Sequence, residues 1–184
     1  LNRVTGGGLS QIDGTLTASG SVFLINPQGI VVGRDGRVAT GGSFVASTRD
    51  VANDSFLAGG ALSASGTGSG RIVNDGVIVS ATGEAILVGH SVINRGAISA
   101  PEGGVTLAAG TEILLRPANG DPRVSVAGVS GDVTNAGSLE AAQVALNAAG
   151  GDVFALVSNG AEITATGTEV RDGRVWLVAG GDVT

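Results

Sequence analysis

A short pattern occurs twice in this chain at a fixed interval. Residues 73–80 read Val-Asn-Asp-Gly-Val-Ile-Val-Ser, and residues 93–99 read Ile-Asn-Arg-Gly-Ala-Ile-Ser, so that Gly76 and Gly96 lie 20 residues apart. A repeat of this period is typical of a stacked array, in which each unit buries its apolar face only against its neighbours. The chain is therefore expected to fold as a series of similar coils.

The repeat continues downstream. Asn135-Ala136-Gly137 follows Gly96 by 41 residues, which predicts about two periods, and Asn159-Gly160 is a looser copy. Short runs of Val, Ile, Leu and Ala alternate with Gly, Asn and Asp, a pattern that predicts short strands and almost no helix. We expect an all-β parallel solenoid of roughly nine coils, about 40 Å long.

The recurring asparagines carry a specific expectation. In a parallel stack, equivalent residues of successive coils lie about 4.8 Å apart. Asn74, Asn94 and Asn135 are therefore expected to form a structural ladder of side-chain amides. The alternative is that the same row binds a ligand.

The 184 residues are expected to form one β-helix domain. Residues 1–70 are less regular, whereas residues 71–184 are expected to be regular coils. The stretch 58–70 is rich in Ala, Ser, Thr and Gly and is expected to be an excursion or a small hairpin. Because the chain starts with Leu1, and its final Gly181-Asp182-Val183-Thr184 motif starts a further coil that is not completed, we expect it to be a piece of a longer protein.

Composition excludes several classes of partner. The net charge is −6 and the ten basic residues are all arginines scattered along the chain, so nucleic-acid binding is not expected. No apolar run approaches the roughly 20 residues of a membrane span. The chain contains no cysteine, which excludes disulfides and thiol chemistry.

The residues do not predict an enzyme or a cofactor. His90 is the only histidine and lies in a turn without a recognisable nucleophile motif. Asp132, Asp152 and Asp182 could stack into a calcium-binding column, but the nonapeptide pattern of calcium-binding solenoids is absent. Trp176 either packs between coils or stacks on a sugar. A carbohydrate-active β-helix enzyme is the remote alternative.

The first fifty residues carry motifs in a definite order. They are Asn2-Arg3-Val4-Thr5-Gly6, the segments 10–16 and 20–30, and Ala46-Ser47-Thr48-Arg49-Asp50. Together they resemble the two-partner secretion (haemagglutination activity) domain of filamentous haemagglutinin-like exoproteins. That family's Asn-Pro-Asn-Gly signature reads here Asn26-Pro27-Gln28-Gly29-Ile30.

The resemblance implies a right-handed parallel β-helix with short extra-helical β elements. It also implies an adhesin-like exoprotein, secreted or held at the cell surface of a Gram-negative bacterium, that crosses the periplasm to an outer-membrane partner transporter with POTRA domains. This chain would be its N-terminal secretion module and would nucleate folding of the β-helix.

The resemblance assigns the secretion motif to Asn26, Pro27, Gln28, Gly29 and Ile30, together with Asn2 and Arg3. A tight turn between two strands would explain the residues 26–30 equally well, since Asn, Pro and Gly are turn residues. The alternative function is a structural or adhesive solenoid that binds host or matrix surfaces, or assembles end to end with other copies of itself.

Overall fold

The computed structural model describes residues 1–115, 124–128, 131–155, 162–168 and 173–184. Strands dominate these residues, and most pair in parallel with the equivalent strand of the next coil. The expected parallel β-helix is thereby confirmed.

Three faces of stacked strands form the helix. The first face contains β2 (Ser10–Ile12), β5 (Ile30–Val32), β10 (Arg71–Asn74), β13 (Ser91–Asn94), β17 (Val133–Asn135) and β19 (Val153–Ala155). The second face contains β3 (Thr15–Ala18), β6 (Arg37–Thr40), β11 (Val77–Ser80), the first parts of β14 (Ala97–Ala109) and β18 (Ser138–Ala148), and β20 (Ile163–Ala165). The third face contains β1 (Asn2–Arg3), β4 (Val22–Ile25), β7 (Phe44–Ser47), β12 (Ala85–Gly89), the second parts of β14 and β18, and β21 (Val175–Ala179).

The strand register follows the sequence repeat. Ile72 lies beside Val92 and Asn74 beside Asn94, so the 20-residue interval is one turn of the helix. Side chains that point inward alternate with outward ones along each strand, as the two-residue period of a strand requires. The inward set forms one continuous apolar core along the stack, including Ile30, Ile78, Leu107 and Leu146.

One sequence prediction about the period is wrong. The 41 residues from Gly96 to Gly137 were expected to hold about two coils, but Asn94 and Asn135 lie on adjacent coils and pair directly. The reason is that the strands Glu112–Leu115 and Val124–Ala127, which lie between these two coils in the sequence, are not part of the stack. Asn159-Gly160 lies outside the described residues.

The stack is correspondingly shorter than expected. Among the described residues the first face has six strands, and a bridge from Val183 to Val153 starts a further turn. At about 4.8 Å per coil, six strands span roughly 25 Å.

Two excursions from the stack meet to form a small antiparallel sheet, here called the outer sheet. Its strands are β8 (Asp50–Val51), β9 (Leu62–Ser65), β15 (Glu112–Leu115) and β16 (Val124–Ala127), paired in that order. The stretch 58–70, expected to be an excursion or hairpin, thus supplies β9 within an excursion. The same excursion contains a six-residue helix, α1 (Asn53–Ala58), that the sequence pattern did not predict.

The outer sheet packs on the outward side of the third face. This contact encloses a second apolar core, which includes Ile25, Val45, Ile86, Ile113 and Val124. In α1, Phe56 packs edge-on against Phe23, with ring centroids 5.1 Å apart. The third face is therefore buried on both sides, which explains its nearly unbroken apolar runs.

Candidate functional site at the Asn26–Ile30 turn

The motif turn, residues 26–30, joins the third face of the first coil to the first face of the second. Asn26 is fully buried, and its side-chain nitrogen donates hydrogen bonds to the Gly8 carbonyl (3.0 Å) and to the Ser10 hydroxyl (2.9 Å). Its side-chain oxygen accepts from the backbone N–H of Gln28 at 2.9 Å, and the Gly29 N–H donates to its carbonyl at 3.0 Å. Asn26 thus closes the turn and ties it to the preceding coil.

Two side chains of the motif turn face solvent. Pro27 and Gln28 are exposed, whereas Gly29 and Ile30 are buried. The turn uses the backbone N–H of Gln28, so replacing the family's asparagine by glutamine leaves this hydrogen bond intact. The exposed side chains are available for contacts outside the folded coil.

The backbone of the motif turn lies under the returning first excursion. A Cβ added to Gly70 would overlap the Pro27 carbonyl oxygen, and one added to Gly68 would lie 3.4 Å from it. Gly29 has φ +125°, which favours glycine, and its Cα faces the backbone of Arg71. Glycine at these positions allows the two segments to approach closely.

Arg3 also belongs to the expected motif, and it clamps the first excursion. Its Nε pairs with the Asp50 carboxylate, Nη1 donates to the Asn53 side chain, and Nη2 donates to the Val51 carbonyl, each at 2.8 Å. Asn2 makes one long hydrogen bond of 3.5 Å to a backbone carbonyl. Arg3 therefore connects the first strand to α1 and to the outer sheet, away from the exposed side chains of the turn.

Arg49 belongs to the Ala46–Asp50 motif, but the sequence analysis assigned it no role in the candidate site. Its side chain is fully buried, with Nε donating to the Gly110 carbonyl at 2.7 Å and Nη1 to the Gly68 carbonyl at 2.6 Å. None of the described carboxylates pairs with it, its Nη2 finds no partner among the described residues, and burial lowers the pKa of the guanidinium. The available signal was the position of this arginine directly after a buried strand. Arginine is rarely fully buried, so an arginine at such a position is unusual.

The three repeat asparagines lie inside the stack. Nδ2 of Asn74 donates to Oδ1 of Asn94 at 2.8 Å, and Nδ2 of Asn94 donates to Oδ1 of Asn135 at 2.7 Å. Asn135 ends the row by donating to the Gly137 carbonyl at 3.0 Å. All three side chains are buried, so the row faces the core and not solvent.

The row has an open acceptor at its upper end. Oδ1 of Asn74 is buried and has no partner among the described residues. The residue above it in the register is Val32, and the one below Asn135 is Ala155. The row therefore starts and stops where the aligned residue has no amide.

The three repeat aspartates line one edge of the stack. Oδ1 of Asp132 accepts from the backbone N–H of Asp152 at 2.9 Å, and Oδ1 of Asp152 accepts from that of Asp182 at 2.8 Å. No cluster of metal-ligating side chains occurs among the described residues. The described hydrogen bonds of these carboxylates link one coil to the next.

The two remaining candidates occupy separate places. His90 is the single residue between β12 and β13 and is half-buried. Trp176 lies on β21 and lines a groove of about 390 Å³ with Val124, Val126 and Val178. Neither lies in the motif turn.

Comparisons with known proteins agree with this geometry. The family model described as the TPS secretion domain matches residues 1–182. A heme/hemopexin-binding protein of Haemophilus influenzae is 34% identical over 81% of this chain, and a second sequence of that name and organism is 44% identical over 27% of it. The chain spans 18% of the first relative and 5% of the second.

A solved structure shows the same likeness. The crystal structure of the HMW1 secretion domain from Haemophilus influenzae matches with a TM-score of 0.60 and 30% identity, over 83% of this chain and 47% of that one. In the described part of the chain, no helix has the length and apolar character needed to cross a membrane.

Proposed function

This chain belongs to the TPS secretion domain family, and from that premise we propose that the motif turn is where its outer-membrane partner transporter recognises it. The family's exoproteins are secreted or surface-exposed, and a TPS domain implies such a transporter partner. We assign the chain to the N-terminal part of a longer, adhesin-like exoprotein. It reaches the transporter's POTRA domains through the periplasm.

The exposure of Pro27 and Gln28 carries this proposal. The other motif residues have structural roles. Asn26 closes the turn through its hydrogen bonds, and Gly29 and Ile30 are buried. Arg3 holds the first excursion against the stack. Pro27 fixes the backbone of the turn, but neither exposed side chain donates or accepts a hydrogen bond within the described part of the chain, although both lie within the family's motif. Recognition by contact is therefore assigned to them.

A second role follows from the hydrogen bonds of Asn26. Its side chain binds the preceding segment at Gly8 and Ser10, and its backbone N–H donates to the Ser47 carbonyl of the next coil at 2.9 Å. One residue thus joins three successive passes of the chain. We assign nucleation of the β-helix to this junction, since each further coil can then stack on a formed template.

Secretion assays can separate recognition from folding. The double variant Pro27→Ala/Gln28→Ala removes two exposed side chains and the φ constraint of Pro27, so we expect the free energy of unfolding of the purified domain to fall by no more than about 1 kcal/mol. Secretion of the exoprotein, coexpressed with its transporter, should fall by about tenfold or more, the effect of losing roughly 1.4 kcal/mol of binding. Asn26→Ala should reduce both secretion and stability.

The matched control is Thr15→Ala/Thr17→Ala, which removes two exposed side chains from β3. Its secretion should equal that of the wild type. Undiminished secretion of the Pro27/Gln28 double variant would refute recognition through the exposed side chains.

A further inference from the structure

The first excursion returns to the stack through residues 66–70, here called the strap. The strap crosses the backbone of the motif turn, with Gly70 buried against the Pro27 carbonyl. The Gly70 carbonyl in turn accepts from the N–H of His90 at 3.1 Å. The strap thus covers the backbone of the turn and leaves the Pro27 and Gln28 side chains in solvent.

Arg49 fastens the strap. Its Nη1 donates to the Gly68 carbonyl, and its Nε donates to the Gly110 carbonyl at the end of β14. At the start of the strap, the Gly66 N–H donates to the Thr111 carbonyl at 3.2 Å. The hydrogen bonds of the Arg49 Nε and of the Gly66 N–H therefore both depend on residues that follow β14.

The fastening depends on a distant part of the chain. Gly110 lies 61 residues after Arg49. Burying a guanidinium whose acceptors are missing is strongly unfavourable, so Arg49 is stably seated only after β14 has stacked. The closed strap therefore requires the fourth coil, which contains β13 and β14.

We propose that Arg49 is a positioning residue that closes the strap over the motif turn when the fourth coil has formed, and that closure withdraws the backbone of the turn from the transporter. The unfolded chain then presents the backbone of the motif together with the Pro27 and Gln28 side chains, whereas the folded domain presents these two side chains alone, binds more weakly and is released. This step rests on the function proposed above for the motif turn. The strap itself can be tested without the transporter.

Hydrogen exchange on the 184-residue domain tests the fastening. In Arg49→Gln, the N–H groups of Gly29, Gly66 and His90 should exchange about tenfold faster or more, because losing hydrogen bonds from a charged donor opens the strap. The N–H groups of Arg95 and Ala97, which bond to the neighbouring coil, should be unchanged. The control Arg95→Gln removes an exposed arginine and should leave the strap protected.

A pair of glycine variants provides an independent test that leaves Arg49 in place. Gly70→Ala drives a Cβ into the Pro27 carbonyl and should lift the strap, whereas Gly68→Ala meets that oxygen at an ordinary 3.4 Å and should not. This pair keeps the proposal testable if Arg49→Gln fails to fold. Uniform acceleration across the stack in Arg49→Gln and Gly70→Ala would show a merely structural role and overturn the proposal.

Binding to the transporter completes the test. The folded Arg49→Gln and Gly70→Ala domains should bind the purified periplasmic region of the partner transporter more tightly than the wild type and Gly68→Ala do. Equal binding by all four would overturn the release step even if the strap opens. Normal secretion of the Pro27→Ala/Gln28→Ala variant would instead refute the function proposed for the motif turn. The hydrogen-exchange results would still show whether Arg49 closes the strap, because they do not involve the transporter.

Discussion

The stack and the outer sheet solve the problem of strand pairing in different ways. In the stack, each strand pairs with the equivalent strand of the next coil, as Asn74 does with Asn94 twenty residues later. In the outer sheet, β9 pairs with β15, and Leu62 lies beside Leu115 across more than fifty residues of chain. The stack can therefore grow coil by coil, whereas the outer sheet forms only after several coils exist.

The difference has a consequence for stability. In a solenoid each coil contacts only its neighbours, so its stability is a sum of local terms and the ends can fray. The outer sheet joins strands from both excursions and spans several coils of the third face. It therefore makes this part of the stack unfold more cooperatively than a plain solenoid would.

Breaking the asparagine row should have the largest effect on the stack. Asn94→Leu removes the middle amide, leaves the Asn135 acceptor buried without its partner, and leaves the Asn74 donor with only its long bond of 3.4 Å to the Ala97 carbonyl. At about 1–3 kcal/mol for each orphaned group, we expect a loss of roughly 4 kcal/mol in the free energy of unfolding. Urea denaturation measures this loss.

The control is Asn147→Leu, which loses one hydrogen bond of 3.5 Å and should lower the free energy of unfolding far less. Similar losses in the two variants would mean that the row is no stronger than isolated asparagines.

Truncating the second core tests whether the outer sheet opens separately from the stack. Ile113→Ala should cost about 3 kcal/mol, as large-to-small changes in cores do. The opening should be local, so hydrogen exchange should accelerate at Gly66, which bonds to the outer sheet, more than at Ala97 in the stack. Leu139→Ala, in the main core, should accelerate both. Equal acceleration by Ile113→Ala would show that the two regions unfold as one.

Extending the asparagine row should change the free energy of unfolding less than breaking it does. Val32→Asn places an amide beside the open acceptor of Asn74, whereas Val92→Asn places one beside Ile72 and Val133. Both substitutions bury a polar group, but only the first offers it a partner. The first variant should be more stable than the second by about 1–2 kcal/mol in urea denaturation. No difference would show that the open acceptor is already satisfied.

The exposed corner of the stack should contribute least. Arg95 pairs with Asp75 of the preceding coil at 2.7 Å, with the Arg95 side chain 52% exposed and the Asp75 side chain 29% exposed. The hydrogen bond to Asp75 raises the pKa of Arg95. Arg95→Gln should cost at most about 1 kcal/mol, and less at high salt. A larger loss would mean that this surface pair contributes about as much to the free energy of unfolding as the buried asparagine row does.

The sequence predicted the stack better than the outer sheet. The parallel coils were predictable because the pattern of Asn74 and Gly76 recurs at the period of one coil, so the sequence repeat and the strand pairing have the same interval. The interval to Asn135 misled because an inserted segment can imitate an extra period. Nothing local in residues 62–65 or 112–115 indicates that they pair with each other, since their partners are set by the stack beneath them.

The candidate site was predictable only in part. The family's motif indicated the turn and named its residues. That Asn26 faces inward while Gln28 faces solvent depends on the neighbouring coils. The seat of Arg49 could not be predicted, because its acceptors are backbone carbonyls at Gly68 and Gly110, and any residue type can supply a carbonyl there.

The corner between the third and first faces accommodates chain segments of very different length. A single residue, His90, joins β12 to β13, whereas 23 residues join β7 to β10 and 23 join β14 to β17. The strands on either side keep the same register in all three coils. The stack thus tolerates insertions at this corner, and the one-residue link at His90, in the coil between the two excursions, leaves β9 and β15 free to pair with each other.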